Sequence, residues 1–323
     1  MISEKLIMTS LRRKVSVIIP HFNEGEKISR QIKALKKQSH QAKEIIIIDD
    51  GSNKEKYLEL KNFLHNEKNI KIIRKIKNRG PAASCNHGLK IASGEFVCFL
   101  ACDDEIKKNF IKTNVRLLSK FSQAAFCFSD PCIVDPKKQI KQTFSLYLSD
   151  KEIYLTPKQI KRALNKTSFT FSTNTILFRR KFIKEGMLDT LGSFADNYLD
   201  FKLAFTHGAV YFPGVLSHYF INDKSYSASQ AKDNQVKKDQ TFAMLKKLSK
   251  EKMEIKNSFK YSKILPYYEF KVLIWLLLSS EGREYLSWGI LKRCLALSLW
   301  SLLRKKISNN LRKKIRNKLA HKF

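Results

Sequence analysis

The chain has 323 residues, enough to bury one large core or two smaller ones, so size demands neither disulfides nor a structural metal. It carries 62 Lys and Arg against 29 Asp and Glu, a formal net charge of +33, which argues against a basic partner and for an anionic one. Nucleic acid, an acidic membrane surface and phosphate-bearing molecules all meet that description, and a Lys-rich composition can also be a general habit of a genome.

The N-terminal MISEKLIMTSLRRKVSVIIP has no basic region followed by a long apolar one, so no signal peptide is expected. The six cysteines, Cys85, Cys98, Cys102, Cys127, Cys132 and Cys294, include no C-x-x-C. They read as small buried hydrophobes in a reducing compartment. Spanning a bilayer takes about 18–20 apolar residues. VLIWLLL at 272–278 is too short, and 286–303 is interrupted by Lys292 and Arg293.

In chain order, the first 135 residues alternate apolar runs with helix-period segments. VSVIIP (15–20), EIIIIDD (44–50), NIKIIRKI (69–76), EFVCFLAC (95–102) and AFCFSD (125–130) predict strands. Between them, EKISRQIKALKKQ, with Ile28, Ile32 and Leu35 on one face, and the segments 54–66, 81–92 and 107–121 predict helices. Fully apolar strands alternating with helices predict a mostly parallel central sheet flanked by helices. From 136 to about 165 the pattern is weak, apart from a helix opening at Thr156-Pro157. SFTFSTNTILFRR (168–180) predicts a strand, SFADNYLDFKLAFTHG (193–208) a helix closed by Gly208, and AVYFPGVLSHYFI (209–221) a strand. Residues 224–260 read as polar loop and helix, and from Leu265 onward the chain reads as helices rich in Leu and Trp. The tail ISNNLRKKIRNKLAHKF and the residues before it hold Arg304, Lys305, Lys306, Arg312, Lys313, Lys314, Arg316, Lys318 and Lys322 with no acid among them.

Parallel sheets bind ligands beyond the carboxyl ends of their strands. The segments there are HFNE, DDGS, KNRGPAAS and DDEI, and three of the four carry carboxylates. A single Asp after a strand is an ordinary turn; several converging on one sheet edge make a site.

VSVIIPHFNE, EIIIIDDGS, NRGPAASCNHGLKIASGEFVCFLACDDEI and ADNYLDFKLA, in this order, resemble the family 2 glycosyltransferases over roughly residues 14–222. The resemblance implies a GT-A fold (that of nucleotide-diphospho-sugar transferases) with a C-terminal helical basic extension. It also implies transfer of a sugar from a nucleotide-diphosphate donor with inversion, aided by Mg2+ or Mn2+. Carboxylates suit such a hard cation, which offsets charge on the leaving diphosphate. By the same resemblance Pro20, Phe22 and Glu24 line the nucleotide pocket and Asp49 accepts a hydrogen bond from the base. Asp50 holds the loop, Arg79 approaches the base or diphosphate, Asp103 contacts the ribose or metal, and Asp104 binds the metal. Ala101 stands where many members carry a third acid. Asp196 matches the catalytic base, a role that suits a partly buried carboxylate, with Asp200 one turn further as the fallback. Lys202 replaces a common Arg, and Phe220 and Asn222 replace a common Arg and His in the closing segment 218–227. His87 and Cys85 belong to a helix start beside the nucleotide loop.

The expected organisation is a leader (1–13), a transferase domain (14–222), a polar linker (223–264) and a helical, basic extension (265–323). The expected donor is a UDP-sugar and the acceptor a cell-surface polysaccharide or lipid-linked oligosaccharide. The amphipathic C-terminal helices, with Trp275, Trp288 and Trp300, predict peripheral attachment to an anionic membrane on its cytoplasmic face, or else packing of those helices within the protein. Two alternatives use the same residues: a basic nucleic-acid-binding protein, for which no aromatic-basic module is present, and a nucleotide-sugar-binding scaffold without activity.

Overall fold

A computed structural model describes residues 13–303 of the chain, apart from 168 and 224. The leader up to residue 12 and the basic positions from Arg304 to Lys322 lie outside the described residues.

Among the described residues ten strands make one sheet. They are β1 (Val15–His21), β2 (Glu44–Asp49), β3 (Ile70–Arg74), β4 (Phe96–Phe99), β5 (Glu105–Ile106), β6 (Phe126–Asp135), β7 (Ile140–Thr143), β8 (Ile153–Leu155), β9 (Leu177–Arg179) and β10 (Ala209–Phe220). Their order is β3-β2-β1-β4-β9-β6-β10-β5, with β7 paired to β6 and β8 to β10. The β3-β2-β1-β4 half is parallel throughout, and β10 runs parallel to β6, whereas β9 is antiparallel to both its neighbours. Val15–Ile19 and all of β2 are buried, because a strand covered by helices on both faces leaves no side chain in water.

Helices α1 (Ser29–Lys36), α2 (Lys54–Leu64), α3 (Pro81–Ile91), α4 (Phe110–Lys120) and α6 (Ala195–His207) flank the sheet, with α5 (Pro157–Thr167) between β8 and β9. The first predicted helix opens as a 3-10 turn at Gly25–Ile28 before α1 begins. In α3, Gly80 takes φ 86 at the N-cap and Pro81 starts the helix, so the chain after β3 turns sharply back over the sheet. Gly88 of the same helix rests on Ile18: a Cβ there would lie 2.5 Å from Ile18 Cγ2.

The predicted strand at 168–180 is corrected. Only Leu177–Arg179 pairs in the sheet, and Thr173–Thr175 forms a 3-10 turn. The cause is local: Thr175 Oγ1 donates to the Ser172 carbonyl at 2.7 Å and Ser172 Oγ to Asn174 Oδ1 at 2.7 Å, side-chain bonds that compete with a ladder. Phe171, just before the turn, meets Phe126 and Phe128 edge-on at 5.2 and 4.9 Å. Such pairs contribute about 0.5–1.5 kcal/mol each beyond area burial, so the chain entering the turn is anchored to β6.

The chain divides into two compact units. One holds the residues up to Pro157 with Phe171–Asp189 and Ala195–Asn222, and contains the sheet. The other holds Lys158–Thr170, Thr190–Phe194 and the residues from Asp223 onward. Its helices α7 (Tyr226–Gln230), α8 (Asn234–Ser249), α9 (Met253–Tyr261), α10 (Phe270–Leu278), α11 (Ser280–Tyr285) and α12 (Trp288–Leu303) bury Met244, Leu248, Phe259, Leu273, Leu276 and Tyr285. Among the described residues no helix is long and apolar enough to cross a membrane. The six cysteines are all buried and unpaired.

Candidate active site

Three loops meet where β1, β2 and β4 end. The Asp50 N–H donates to the His21 carbonyl at 2.8 Å, the Asn23 N–H to Ser52 Oγ at 2.9 Å, and the Asn53 N–H to Asn23 Oδ1 at 2.9 Å. HFNE and DDGS are thereby stitched into one surface. On the other side Cys102 Sγ donates to the Pro20 carbonyl at 3.2 Å, tying in the loop after β4. Phe22 is exposed on this rim, Pro20 is half-buried, and Glu24 pairs with Lys27 at 3.0 Å.

Asp49 lies beneath the rim, with no exposed surface. Its carboxylate accepts from Ser52 Oγ and from His21 Nδ1, the latter at 2.9 Å, and Arg74 Nε stands 3.6 Å away. Burial alone would raise this carboxyl, but the His21 and Ser52 hydrogen bonds outweigh it and hold the group below the usual range. In this arrangement Asp49 fixes the turn and its oxygens are spent internally. Asp50, also buried, accepts from Lys75 Nζ and from the Arg79 N–H at 3.1 Å, which locks the start of α3 to the end of β2. The Arg79 side chain is exposed and borders a cleft of about 430 Å³ with Lys75, Asn86, His87, Lys90 and Asp189. Cys85 is buried in α3 instead of pairing with His87, and burial, then Asp196 and Asp50, push its thiol up.

Asp103 and Asp104 differ sharply. Asp103 is half-buried; Asn222 Nδ2 donates to its carboxylate at 3.2 Å and Arg30 to its carbonyl at 3.0 Å. Asp104 is 2% exposed and accepts from the Phe220 N–H at 3.0 Å and from Asn174 Nδ2 at 3.2 Å. Burial pushes its carboxyl up to about 7; the Phe220 hydrogen bond opposes this and the neighbouring Asp103 adds to it. Two adjacent acids, one of them buried among neutral donors, fit a hard divalent cation through oxygen ligands. Among the described residues no group of three or more His, Cys, Asp or Glu could hold a metal, and Ala101 supplies no third acid. The remaining coordination would fall to phosphate oxygens and water.

Asp196 occupies the first turn of α6, where a helix favours negative charge. Thr173 Oγ1 donates to its Oδ2 at 2.8 Å, and Asn197 donates to Oδ1 through its main-chain N–H at 2.7 Å. Asn174, the next residue of the same turn, holds Asp104. One 3-10 turn therefore joins the two carboxylates assigned to base and metal. Asp200 is fully buried and lies 3.4 Å from Thr173 Oγ1. Lys202 pairs with Glu185 at 3.7 Å.

Sequence reasoning missed four contributors. Thr173 and Asn174 sat in a stretch read as strand. Arg30 lay on the polar face of α1 among many cations, yet its guanidinium stacks over the Phe220 ring at 3.8 Å, a geometry that fixes the closing loop. The Phe220 N–H is a main-chain group with no side-chain signature. The substitutions Phe220 and Asn222, which departed from the expected Arg and His, are the residues that hold Asp104 and Asp103.

The Glycosyl transferase family 2 model matches residues 16–186, more than half of the chain. GalNAc(5)-diNAcBac-PP-undecaprenol beta-1,3-glucosyltransferase of Campylobacter jejuni is 28% identical over 174 residues, covering 53% of this chain. The chain spans only part of its curated relatives: 55% of that protein, and 17% of an uncharacterized Rickettsia conorii glycosyltransferase that is 39% identical over 107 residues and covers 33% of this chain. Among solved structures, TarS 1-349 of S. aureus in complex with UDP-GlcNAc superposes with TM-score 0.55 at 16% identity, covering 84% of each chain. The mannosyltransferase PcManGT of Pyrobaculum calidifontis, in complex with GDP-Man and Mn2+, superposes with TM-score 0.57 at 14% identity, covering 96% of this chain and 85% of its own. Both share its GT-A fold. With the family model spanning the strands and loops that build the carboxylate edge, the chain belongs to glycosyl transferase family 2.

Proposed function

We propose that the protein transfers a sugar from a nucleotide-diphosphate donor to a hydroxyl of a glycan acceptor, with inversion and with Asp196 as general base. The observation that supports this reading is the Thr173–Asn174 turn, whose consecutive residues bond Asp196 and Asp104. A base for the acceptor hydroxyl and an acidic corner for the diphosphate must be close, because attack and departure occur on opposite sides of one carbon. Asp196 takes the proton of the acceptor hydroxyl as the acceptor oxygen bonds the anomeric carbon, and the electrons of the breaking bond leave with the diphosphate.

Asp104, with Asp103 beside it, would hold Mg2+ or Mn2+; when bound, the cation neutralises charge on the leaving diphosphate. Pro20, Phe22, Glu24 and Arg79 border the nucleotide, with Asp49 and Asp50 fixing the loop beneath. We take the donor to be a UDP-sugar, as in the TarS complex, with the GDP-Man complex of PcManGT naming the competing nucleotide. A lipid-linked or cell-surface glycan acceptor agrees with the undecaprenol-linked substrate in the name of the Campylobacter relative.

An anionic membrane surface is the second partner. On α10, Phe270, Ile274, Leu277 and Leu278 are exposed, while Val272, Leu273 and Leu276 are buried; Trp288 at the start of α12 is exposed too. Exposed apolar side chains on a chain of net charge +33 suit the cytoplasmic face of an acidic bilayer. A thermal-shift panel of nucleotide diphosphates and sugar nucleotides, with and without Mn2+, tests the central reading. Stabilisation by one nucleotide series, larger with Mn2+, is expected by mass action. No shift with any of them would overturn it.

A further inference from the structure

The carboxyl of Asp200 is hard to account for as a surface acid. It lies in α6 one turn beyond Asp196, is 0% exposed, and its neighbours Leu199 and Phe201 are buried too. Its Oδ1 has no hydrogen-bond partner among the described residues. Its Oδ2 lies 3.4 Å from Thr173 Oγ1, and that hydroxyl already donates to Asp196 at 2.8 Å. A threonine hydroxyl has one proton and two lone pairs. With that proton on the shorter bond to Asp196, the 3.4 Å contact becomes a full hydrogen bond when Asp200 carries a proton and donates it to the threonine oxygen.

We propose that Asp200 is a positioning residue: as the neutral acid of the pair it donates to Thr173, which turns the threonine proton onto Asp196 and leaves Asp196 as the ionised base. The arrangement holds one acid proton for two carboxyls, and burial places it on Asp200. Among the described residues an anion at Asp200 would have a single long hydrogen bond and no cation acting on it, whereas Asp196 is half-buried, at a helix N-terminus, with Asn197 donating to its other oxygen. Burial, then the charge of Asp196, pushes the Asp200 carboxyl well above the usual range. Asp196 is the charged group acting on Asp200, Thr173 is the link from the 3-10 turn, and Cys85 of α3 bears on Asp196 as a neutral thiol.

During transfer the acceptor proton passes to Asp196, the pair becomes neutral, and Asp196 releases that proton to water afterwards. Asp200 keeps its own throughout. The role depends on Asp196 being the base, and the test separates the two claims.

The first measurement is infrared. At neutral pH the wild type should show the carbonyl stretch of a protonated carboxylic acid that disappears in Asp200→Asn and persists in Asp196→Asn. In kinetics, Asp200→Leu and Thr173→Val should each lower kcat by about tenfold or more with donor KM unchanged, and Asp200→Asn, which restores a neutral donor, should recover most of the loss. The acid limb of kcat/KM should stay in place in Asp200→Asn. Absence of the acid band, or an acid limb that moves down in Asp200→Asn, would mean that Asp200 is ionised and would overturn the proposal. If Asp200→Leu fails to fold, the band and the Asn variant still decide. If Asp196→Asn keeps turnover, the base assignment falls, while the infrared band reports on Asp200 regardless.

Discussion

The main-chain N–H of Phe220 donates to Asp104 Oδ1 at 3.0 Å, across 116 residues of sequence. The last long strand of the sheet therefore closes over the acids that follow β4, and just beyond it the Asn222 side-chain amide donates to Asp103. Asp104→Asn keeps a carbonyl for this N–H but cannot carry the charge a divalent cation needs. Its donor stabilisation should lose the Mn2+-dependent part, with metal affinity down about tenfold or more. Thermal shift against Mn2+ concentration measures it.

Asp196→Asn keeps the volume at the head of α6 and the bond from Thr173 but removes the base. Turnover should fall by about 10²–10⁴-fold, the usual contribution of general base catalysis. Donor affinity, read by thermal shift, should be unchanged. Activity equal to wild type would remove Asp196 from the base role.

Glu44 joins three elements away from the site. It accepts from Ser16 Oγ at 2.7 Å and from the Ser93 N–H and hydroxyl at 2.8 and 2.6 Å. Burial alone would raise its carboxyl, but the two Ser93 bonds, Ser16 and Lys71 outweigh it and bring the group to about 2 from 4.5. A carboxyl lowered in the folded state stabilises above its unfolded value and loses that stability as pH falls through its folded one. The wild type should exceed Glu44→Gln by on the order of 2–3 kcal/mol at neutral pH. That margin should shrink between pH 4.5 and about 2, as read by denaturant midpoints.

Gly88→Ala should lower stability even though alanine favours helix by about 1 kcal/mol. The new methyl would meet Ile18 Cγ2 at 2.5 Å, and Ile18 is fully buried in the central strand with nowhere to retreat. Overpacking of this kind costs about 1–3 kcal/mol, so a net loss is expected in a thermal melt.

Leu277→Glu with Leu278→Glu should weaken flotation of the full chain with vesicles containing anionic phospholipid and leave its melting temperature near wild type, since both side chains are exposed. Equal flotation would remove α10 from the membrane reading.

The parallel half of the sheet was legible because VSVII of β1, IIII of β2 and FVCF of β4 are apolar runs, broken only by Ser16, that lead toward carboxylates, as two-sided burial favours. Asp103 and Asp104 stood out because they follow a strand at the carboxyl edge of the sheet, whereas Asp196 was named through the resemblance of ADNYLDFKLA to the family. What was not legible was mutual arrangement. The flanking Phe169, Phe171, Ile176, Leu177 and Phe178 gave 168–180 a strand-like pattern, and only the finished fold shows the Ser/Thr/Asn side chains of 172–175 bonding to their own turn. The internal engagement of Asp49 depends on His21 in the neighbouring strand, a register pairing that sequence spacing does not reveal.

The contact between β10 and the acids after β4 also bears on biosynthesis. A nascent chain that has not yet reached Ala209 already encodes β1 to β4, both acids and Asn174, but neither the Phe220 N–H that binds Asp104 nor the Asn222 amide that binds Asp103. The acidic corner is therefore completed only after the final strand has emerged and paired, so donor capture of the proposed kind is favoured in chains whose catalytic unit has been made to its end.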